Sequence, residues 1–161
     1  MERYINGFRK RSRHLPHWED PGATYFITFT LRKPAQVDLT QPRIARLIVN
    51  ALRFLDGDRY LLYDYTVMPD HVHAIIQPMA EGSSAESLSR ITHSLKSWLA
   101  HKINELCGRR GPLWQDETYD HIIRNQADYQ ETAAYILDNA PRKGLVEQAT
   151  DWPWWGKGSG M

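Results

Sequence analysis

The stretch VMPDHVHAIIQ, residues 67–77, decides how the chain is read. Pro69-Asp70 breaks one extended run, and HVHAIIQP begins the next. Side chains alternate along a strand, so His71, His73, Ile75 and Gln77 share one face and Val72, Ala74 and Ile76 the other. The wholly apolar face is the one expected to pack on helices. Both imidazoles then point the opposite way, two residues apart, at a Cα separation of roughly 6–7 Å. Two ring nitrogens at that spacing can converge on one ion, and imidazole is the commonest metal-ligating side chain. Strand histidines that merely face solvent give the same pattern, so the spacing alone leaves both readings open.

Working outward, YLLYDYTVM (60–68) reads as a strand that pairs with the histidine strand as a hairpin. ATYFITFTLR (23–32), β-branched and aromatic throughout, is a strand opened by Pro21-Gly22 and ended by Pro34. Between them, Thr40 is the expected N-cap of a helix with Pro42 in its first turn. Ile44, Leu47, Ile48, Ala51, Leu52 and Leu55 recur at helical spacing, so the helix runs to about Leu55. Downstream, GSSAES (82–87) reads as a loop. Leu88, Ile91, Leu95, Leu99 and Ile103 form an apolar stripe on a helix over 86–106, and a turn follows at 107–112. Residues 119–124 are the expected fourth strand. Asn125 or Asp128 caps a last helix that runs to about Asn139 and is closed by Pro141 and Gly144. The tail DWPWWGKGSGM is expected to be irregular. The order β-α-β-β-α-β plus a helix is that of an α+β, ferredoxin-like split βαβ fold. Both helices of such a fold cover one sheet face and leave the other for a site.

The last helix supplies further chemistry. Tyr135 and Asn139 are four residues apart and share a helix face. A phenol is an established type of covalent nucleophile, and an amide oxygen suits a hard cation. The bland alternative stands beside this: Tyr135 as helix packing and Asn139 as an ordinary C-terminal residue. Tyr119 and Tyr129 are rival phenols, Tyr119 in the strand region and Tyr129 off the face of Tyr135.

The 161 residues, 42% apolar and 24% charged, describe one ordinary globular domain. It divides into a basic arm (1–20), a body (21–148) and a Trp/Gly-rich tail (149–161). No apolar run approaches the ~20 residues that cross a bilayer, and the N-terminus does not resemble a signal peptide. A single cysteine, Cys107, excludes an intrachain disulfide and a cysteine zinc cluster. It fits a reducing, cytoplasmic setting. Net charge is only +1, but Arg3, Arg9, Lys10, Arg11 and Arg13 crowd the first thirteen residues against Glu2 alone. Such an arm suits phosphate contacts, or is simply solvated surface.

Taken together, the pieces resemble a known family. VMPDHVHAII looks like the histidine-hydrophobic-histidine (HUH) motif of single-tyrosine transposases. The strand ATYFITFTLR, the segment LWQDETYDHIIRNQADY, the helix AAYILDNAPRKGLV and the ending DWPW are similar, in order, to blocks of the REP-associated tyrosine transposases. The resemblance spans about residues 23–155. It implies that His71 and His73 are metal ligands and also catalytic, that Tyr135 is the nucleophile, and that Asn139 is the third ligand. Family members commonly carry Asn-Pro directly after this helix, whereas this chain reads Asn139-Ala140-Pro141.

The resemblance further implies Mg²⁺ or Mn²⁺ as the ion, where ligand type alone suggests zinc or manganese. The implied reaction is cleavage and rejoining of single-stranded DNA at hairpin elements through a 5′-phosphotyrosine link. Arg9, Lys10, Arg11, Arg13, Lys96, His121 and Arg124 are the expected DNA contacts. The implied setting is the bacterial nucleoid, and the expected state is a monomer, with a dimer as the alternative. The rival function is a non-catalytic single-stranded nucleic-acid-binding module on the same fold.

Overall fold

In the computed structural model, residues 22–79 and 87–160 are described in full. The short strands Arg3–Ile5, Phe8–Lys10, Ala80–Glu81 and Ser84–Ala85 are described by their backbone. Numbered in chain order, the main sheet and its helices are β1 Thr24–Thr30, α1 Pro42–Phe54, β2 Tyr60–Val67, β3 His71–Pro78, α2 Leu88–Cys107, β4 Tyr119–Ile123, α3 Gln126–Leu137, α4 Asn139–Arg142 and β5 Trp155–Lys157. The sheet is antiparallel throughout, in the order β4-β1-β3-β2-β5. Its first four strands, with α1 and α2, follow the split βαβ connectivity expected from the sequence.

Alternation sorts the two faces. Tyr25, Ile27 and Phe29 of β1 stand opposite Ile76, Ala74 and Val72 of β3. All six pack with Ile44, Ile48 and Leu52 of α1 and Ile91, Leu95 and Leu99 of α2 in one core. On the other face Phe26 and Ile75 pack against Ile136 of α3, with Tyr135 and Tyr129 beside them. Burying a side chain such as Ile136, 1% exposed, contributes roughly 2 kcal/mol. The histidine face is therefore covered by the tyrosine helix.

Helix ends follow local chemistry. Pro42 opens α1, so the cap position falls on Gln41 and not on the expected Thr40. The Thr40 hydroxyl instead donates to Asp38. The left-handed conformation of Gly108, φ 63°, ends α2. Asn125 caps α3, its side-chain oxygen accepting from the Asp128 N–H at 2.8 Å.

Four features depart from the sequence reading. The last helix does not run unbroken to Asn139: α3 ends at Leu137, and Asn139 opens the separate turn α4. The segment expected as a loop carries the ribbon Ala80–Glu81 with Ser84–Ala85, and Arg3–Ile5 pairs with Phe8–Lys10 within the expected arm. The tail is not irregular: Trp155–Lys157 adds a fifth strand to β2. Finally, β2 is bulged, because Leu62 faces Ile76 while Tyr65 faces Ala74. Tyr63 and Asp64 thus oppose Ile75 together. The extra residue lets both Leu62 and Tyr65 reach the helical core and sets Thr66 beside His73 on the other face.

Candidate active site

His73 occupies the middle of the sheet. Thr28 of β1 and Thr66 of β2 are its cross-strand neighbours. Its Nδ1 lies 2.6 Å from Thr28 Oγ1. The ring of His71 sits 4.5 Å away, centroid to centroid. His71 Nδ1 lies 2.7 Å from Asp70 Oδ1. An ionised carboxylate only accepts, so that bond places a proton on His71 Nδ1 and leaves Nε2 as the nitrogen free of it. The His71 bond also holds the Asp70 carboxyl below its usual range, against the partial burial that would raise it.

His73 is 5% exposed, and its Nε2 is buried with no partner. Burial first, then the neighbouring charges of His71 and Arg142, pushes this imidazole well below its ordinary pKa. It is therefore neutral, the form that coordinates a metal. Asn139 is 1% exposed, and its Oδ1 is likewise buried and unpartnered. A buried imidazole nitrogen and a buried amide oxygen, both unsatisfied, are of the donor types that fit a divalent cation. Asp70 and Thr28 give the two imidazoles hydrogen bonds of the kind that orient histidine ligands in metal sites. Among the described residues there is no group of three or more His, Cys, Asp or Glu side chains that could hold a metal. A third ligand of the amide type is what these surroundings offer.

Tyr135 projects from α3 into the same place. Its ring is 5.6 Å from that of His73 and 6.1 Å from that of Phe26, centroid to centroid. The Arg142 guanidinium lies over the ring, 4.4 Å from its centroid. Of the rival phenols, Tyr129 donates to Asp64. Tyr119 shares the face through its pairing with Thr28, one strand further from His73.

The expected DNA contacts scatter. His121 stands on the histidine face beside Phe26 and binds Asp128, at the start of α3, at 3.1 Å. Arg124 is exposed at the edge. Lys96 is not near these elements. It lies on the helical layer, where its ammonium donates to Gln115 O and Thr118 Oγ1, each at 3.0 Å. Arg11 and Arg13 lie outside the described residues, and Arg9 and Lys10 fall on a strand described only by its backbone.

Sequence reasoning gave no part in the site to Thr28, Thr66, Asp70 or Arg142, and read Trp155 only as packing the tail on the body, with base stacking as the alternative. The strand parity that placed His73 would have found the two threonines once the register was known, and Asp70 adjoins His71 in the quoted motif.

No family model matches the chain. A REP-associated tyrosine transposase of Escherichia coli (strain K12) is 31% identical over 134 residues, covering 82% of this chain and 74% of that protein. A putative REP-associated tyrosine transposase of Haemophilus influenzae is 28% identical over 147 residues, covering 83% and 78% respectively. Among solved structures, a REP-associated tyrosine transposase bound to a REP hairpin superposes with a TM-score of 0.69 at 26% identity, over 89% of this chain and 82% of that one. A putative transposase from Deinococcus radiodurans R1 shares the fold, with a TM-score of 0.51 at 17% identity over 78% of this chain and 94% of that one. No helix among the described residues is long and apolar enough to cross a membrane. By sequence identity, coverage and fold together, this chain belongs to the family of REP-associated tyrosine transposases.

Proposed function

We propose that the chain cleaves and rejoins single-stranded DNA at REP-like hairpins, in a metal-dependent reaction with Tyr135 as nucleophile. One observation carries this: the Tyr135 ring lies 5.6 Å from that of His73, whose Nε2 is buried and unsatisfied. Family membership supports DNA strand transfer as the activity, and the hairpin bound to the solved relative supports hairpin DNA as the partner.

His71, His73 and Asn139 are the residues that would hold Mg²⁺ or Mn²⁺. The chemistry such an ion supplies when bound is Lewis-acid polarisation of a phosphoryl oxygen. Asp70 and Thr28 keep the two rings oriented. Tyr135 Oη attacks phosphorus, the bond from phosphorus to the 3′ oxygen breaks, and the phenol proton ends on the departing 3′-OH. The 5′ phosphate stays on Tyr135 as a diester of similar energy, so a 3′-OH can reverse the step without ATP. Arg142 and Phe26 hold the ring in place for both directions. His121 and Arg124 border this face and can meet phosphates, and the basic charge of the arm suits the same role. The chain acts as a monomer.

The test is a denaturing gel of the protein incubated with labelled hairpin DNA carrying a single-stranded flank. A protein–DNA band that requires Mg²⁺ or Mn²⁺ and disappears in Tyr135→Phe and His71→Ala is expected. Binding without cleavage across a panel of hairpins would point to a non-catalytic binding module.

A further inference from the structure

Among the described residues five buried side-chain polar atoms lack a partner: Thr66 Oγ1, His73 Nε2, Arg109 Nε, Asn139 Oδ1 and Trp155 Nε1. Unsatisfied groups of this kind are few in native proteins and call for an explanation. His73 and Asn139 have one in the proposed ion. Thr66 and Trp155 do not, yet they stand in the same row. Thr66 is the cross-strand partner of His73 on one side and of Trp155 on the other. Side chains so paired share a face, with Cβ atoms about 4.5–5.5 Å apart. Trp155 packs in the same cluster as Tyr135 and Ile136.

The indole N–H only donates, and a hydroxyl donates once and accepts twice. Other tryptophans of this fold satisfy that need from the backbone. Trp114 donates to Lys96 O at 3.0 Å and Trp152 to Val67 O at 3.1 Å. Trp155 has no such acceptor, although β5 is otherwise fully laced to β2.

We propose that Trp155 Nε1–H and Thr66 Oγ1 together hold an oxygen in the coordination sphere of the ion bound by His71, His73 and Asn139. That oxygen belongs to water when DNA is absent and to the phosphate when DNA is bound. Thr66 and Trp155 are positioning residues, and the C-terminal strand is thereby a working part of the site. This rests on the metal reading given under the proposed function.

The test uses the full chain and Mn²⁺ alone, titrated by electron paramagnetic resonance, then Mn²⁺ with hairpin DNA in a Tyr135→Phe background. Trp155→Phe keeps an aromatic ring but loses the indole N–H together with the five-membered part of the ring; Thr66→Val exchanges the hydroxyl for a methyl, and the wild-type resonance experiment below separates the N–H from the lost packing. Each variant is expected to weaken Mn²⁺ binding by about 10–100-fold, the usual effect of an outer-shell partner. Losses both with Mn²⁺ alone and in the DNA complex are expected; a loss confined to one of them overturns the role of the pair in the other. Binding within two-fold of wild type in both conditions would overturn the proposal.

A second readout needs no folded variant. Adding Mg²⁺ to ¹⁵N-labelled wild-type protein should move the Trp155 indole resonance and leave those of Trp114 and Trp152 in place. An unmoved Trp155 resonance would contradict the proposal. The metal reading fails separately, and takes this proposal with it, if wild type and His73→Ala bind Mn²⁺ equally or not at all.

Discussion

Tyr129 donates its hydroxyl to the buried carboxylate of Asp64 at 2.5 Å, and this bond ties the tyrosine-bearing helix to the sheet. Asp64 is 1% exposed and reaches the site face because β2 is bulged beside it. Lys157 of the C-terminal strand stands 3.9 Å away and offsets its charge. Burial, then the bond to and charge of Asp64, raises the Tyr129 pKa. Tyr129 therefore stays protonated and clamps α3 where Tyr135 meets His73.

Removing that clamp should loosen the helix. Tyr129→Phe leaves a buried carboxylate short of a donor, and a bond to a charged group contributes about 1.5–3 kcal/mol. A loss of that size is expected in urea unfolding. The covalent adduct should still form in Tyr129→Phe, more slowly, because the nucleophile is intact. An unchanged urea midpoint would show that the bond carries no weight.

Thr28 orients the buried histidine. Thr28→Val should leave the fold intact, since Thr28 lies on a strand between apolar neighbours. It should weaken Mn²⁺ affinity by about 10–100-fold through the lost Nδ1 bond. Calorimetry of the metal titration checks this, and wild-type affinity in the variant would remove Thr28 from the site.

The C-terminal strand docks through glycines. A Cβ on Gly158 would stand 2.5 Å from Leu62 O and 2.5 Å from Leu62 Cβ, while the Gly158 N–H donates to Tyr63 O at 2.7 Å. A backbone carbonyl is not able to yield as a side chain tip does. Gly158→Ala should therefore lift the tail from β2, exposing Trp155 and admitting protease near residues 152–158. Equal protease resistance in wild type and Gly158→Ala would contradict this docking.

The same tail is fastened by an acid. Asp56 accepts from Ser159 N at 2.8 Å and Ser159 Oγ at 2.6 Å, and from Leu62 N at 2.9 Å. Partial burial alone would raise its pKa, but these bonds and Arg53 outweigh that and lower it from 3.8. A carboxylate whose folded pKa is depressed stabilises the docked state above its unfolded value and loses that stabilisation as pH falls through the folded one. The tail should stay docked from neutral pH down to about 4 and release below it. The Ser159 and Gly160 amide resonances report this, and Asp56→Asn should weaken docking at neutral pH as well. Insensitivity of those amides down to pH 3 would exclude the clamp.

Much of this site was legible because it rests on local periodicity. Strand alternation alone put His71 and His73 on the face away from Val72, Ala74 and Ile76. Helical spacing gave the buried stripes of α1 and α2, and the cap preference of Asn and Asp narrowed the start of α3 to Asn125 or Asp128, of which the structure uses Asn125. Features set by distant pairing were not legible. Trp155–Lys157 has neither alternation nor β-branched residues, and it becomes a strand only because β2 offers a free edge. The bulge at Tyr63-Asp64 is invisible in a run that reads as uninterrupted strand, yet it decides that Thr66 lies beside His73. Lys96 was misplaced because its helix was known but its facing was not: the stripe of Leu95 and Leu99 turns it to the segment 115–118. The helix break before Asn139 fits Pro141, which has no N–H to give the Leu137 carbonyl four residues earlier.

The most direct measurement is to identify which residue carries DNA after reaction with a hairpin substrate. Trypsin releases residues 125–142, with Tyr129 and Tyr135 on one peptide, and residues 111–124, with Tyr119 on another. Fragment-ion mass spectrometry then separates the three phenols. The expected result is a nucleotide remnant on Tyr135 alone, formed only with Mg²⁺ or Mn²⁺. A remnant on Tyr129 or Tyr119, or cleaved DNA with none of the three modified, would contradict Tyr135 as the nucleophile.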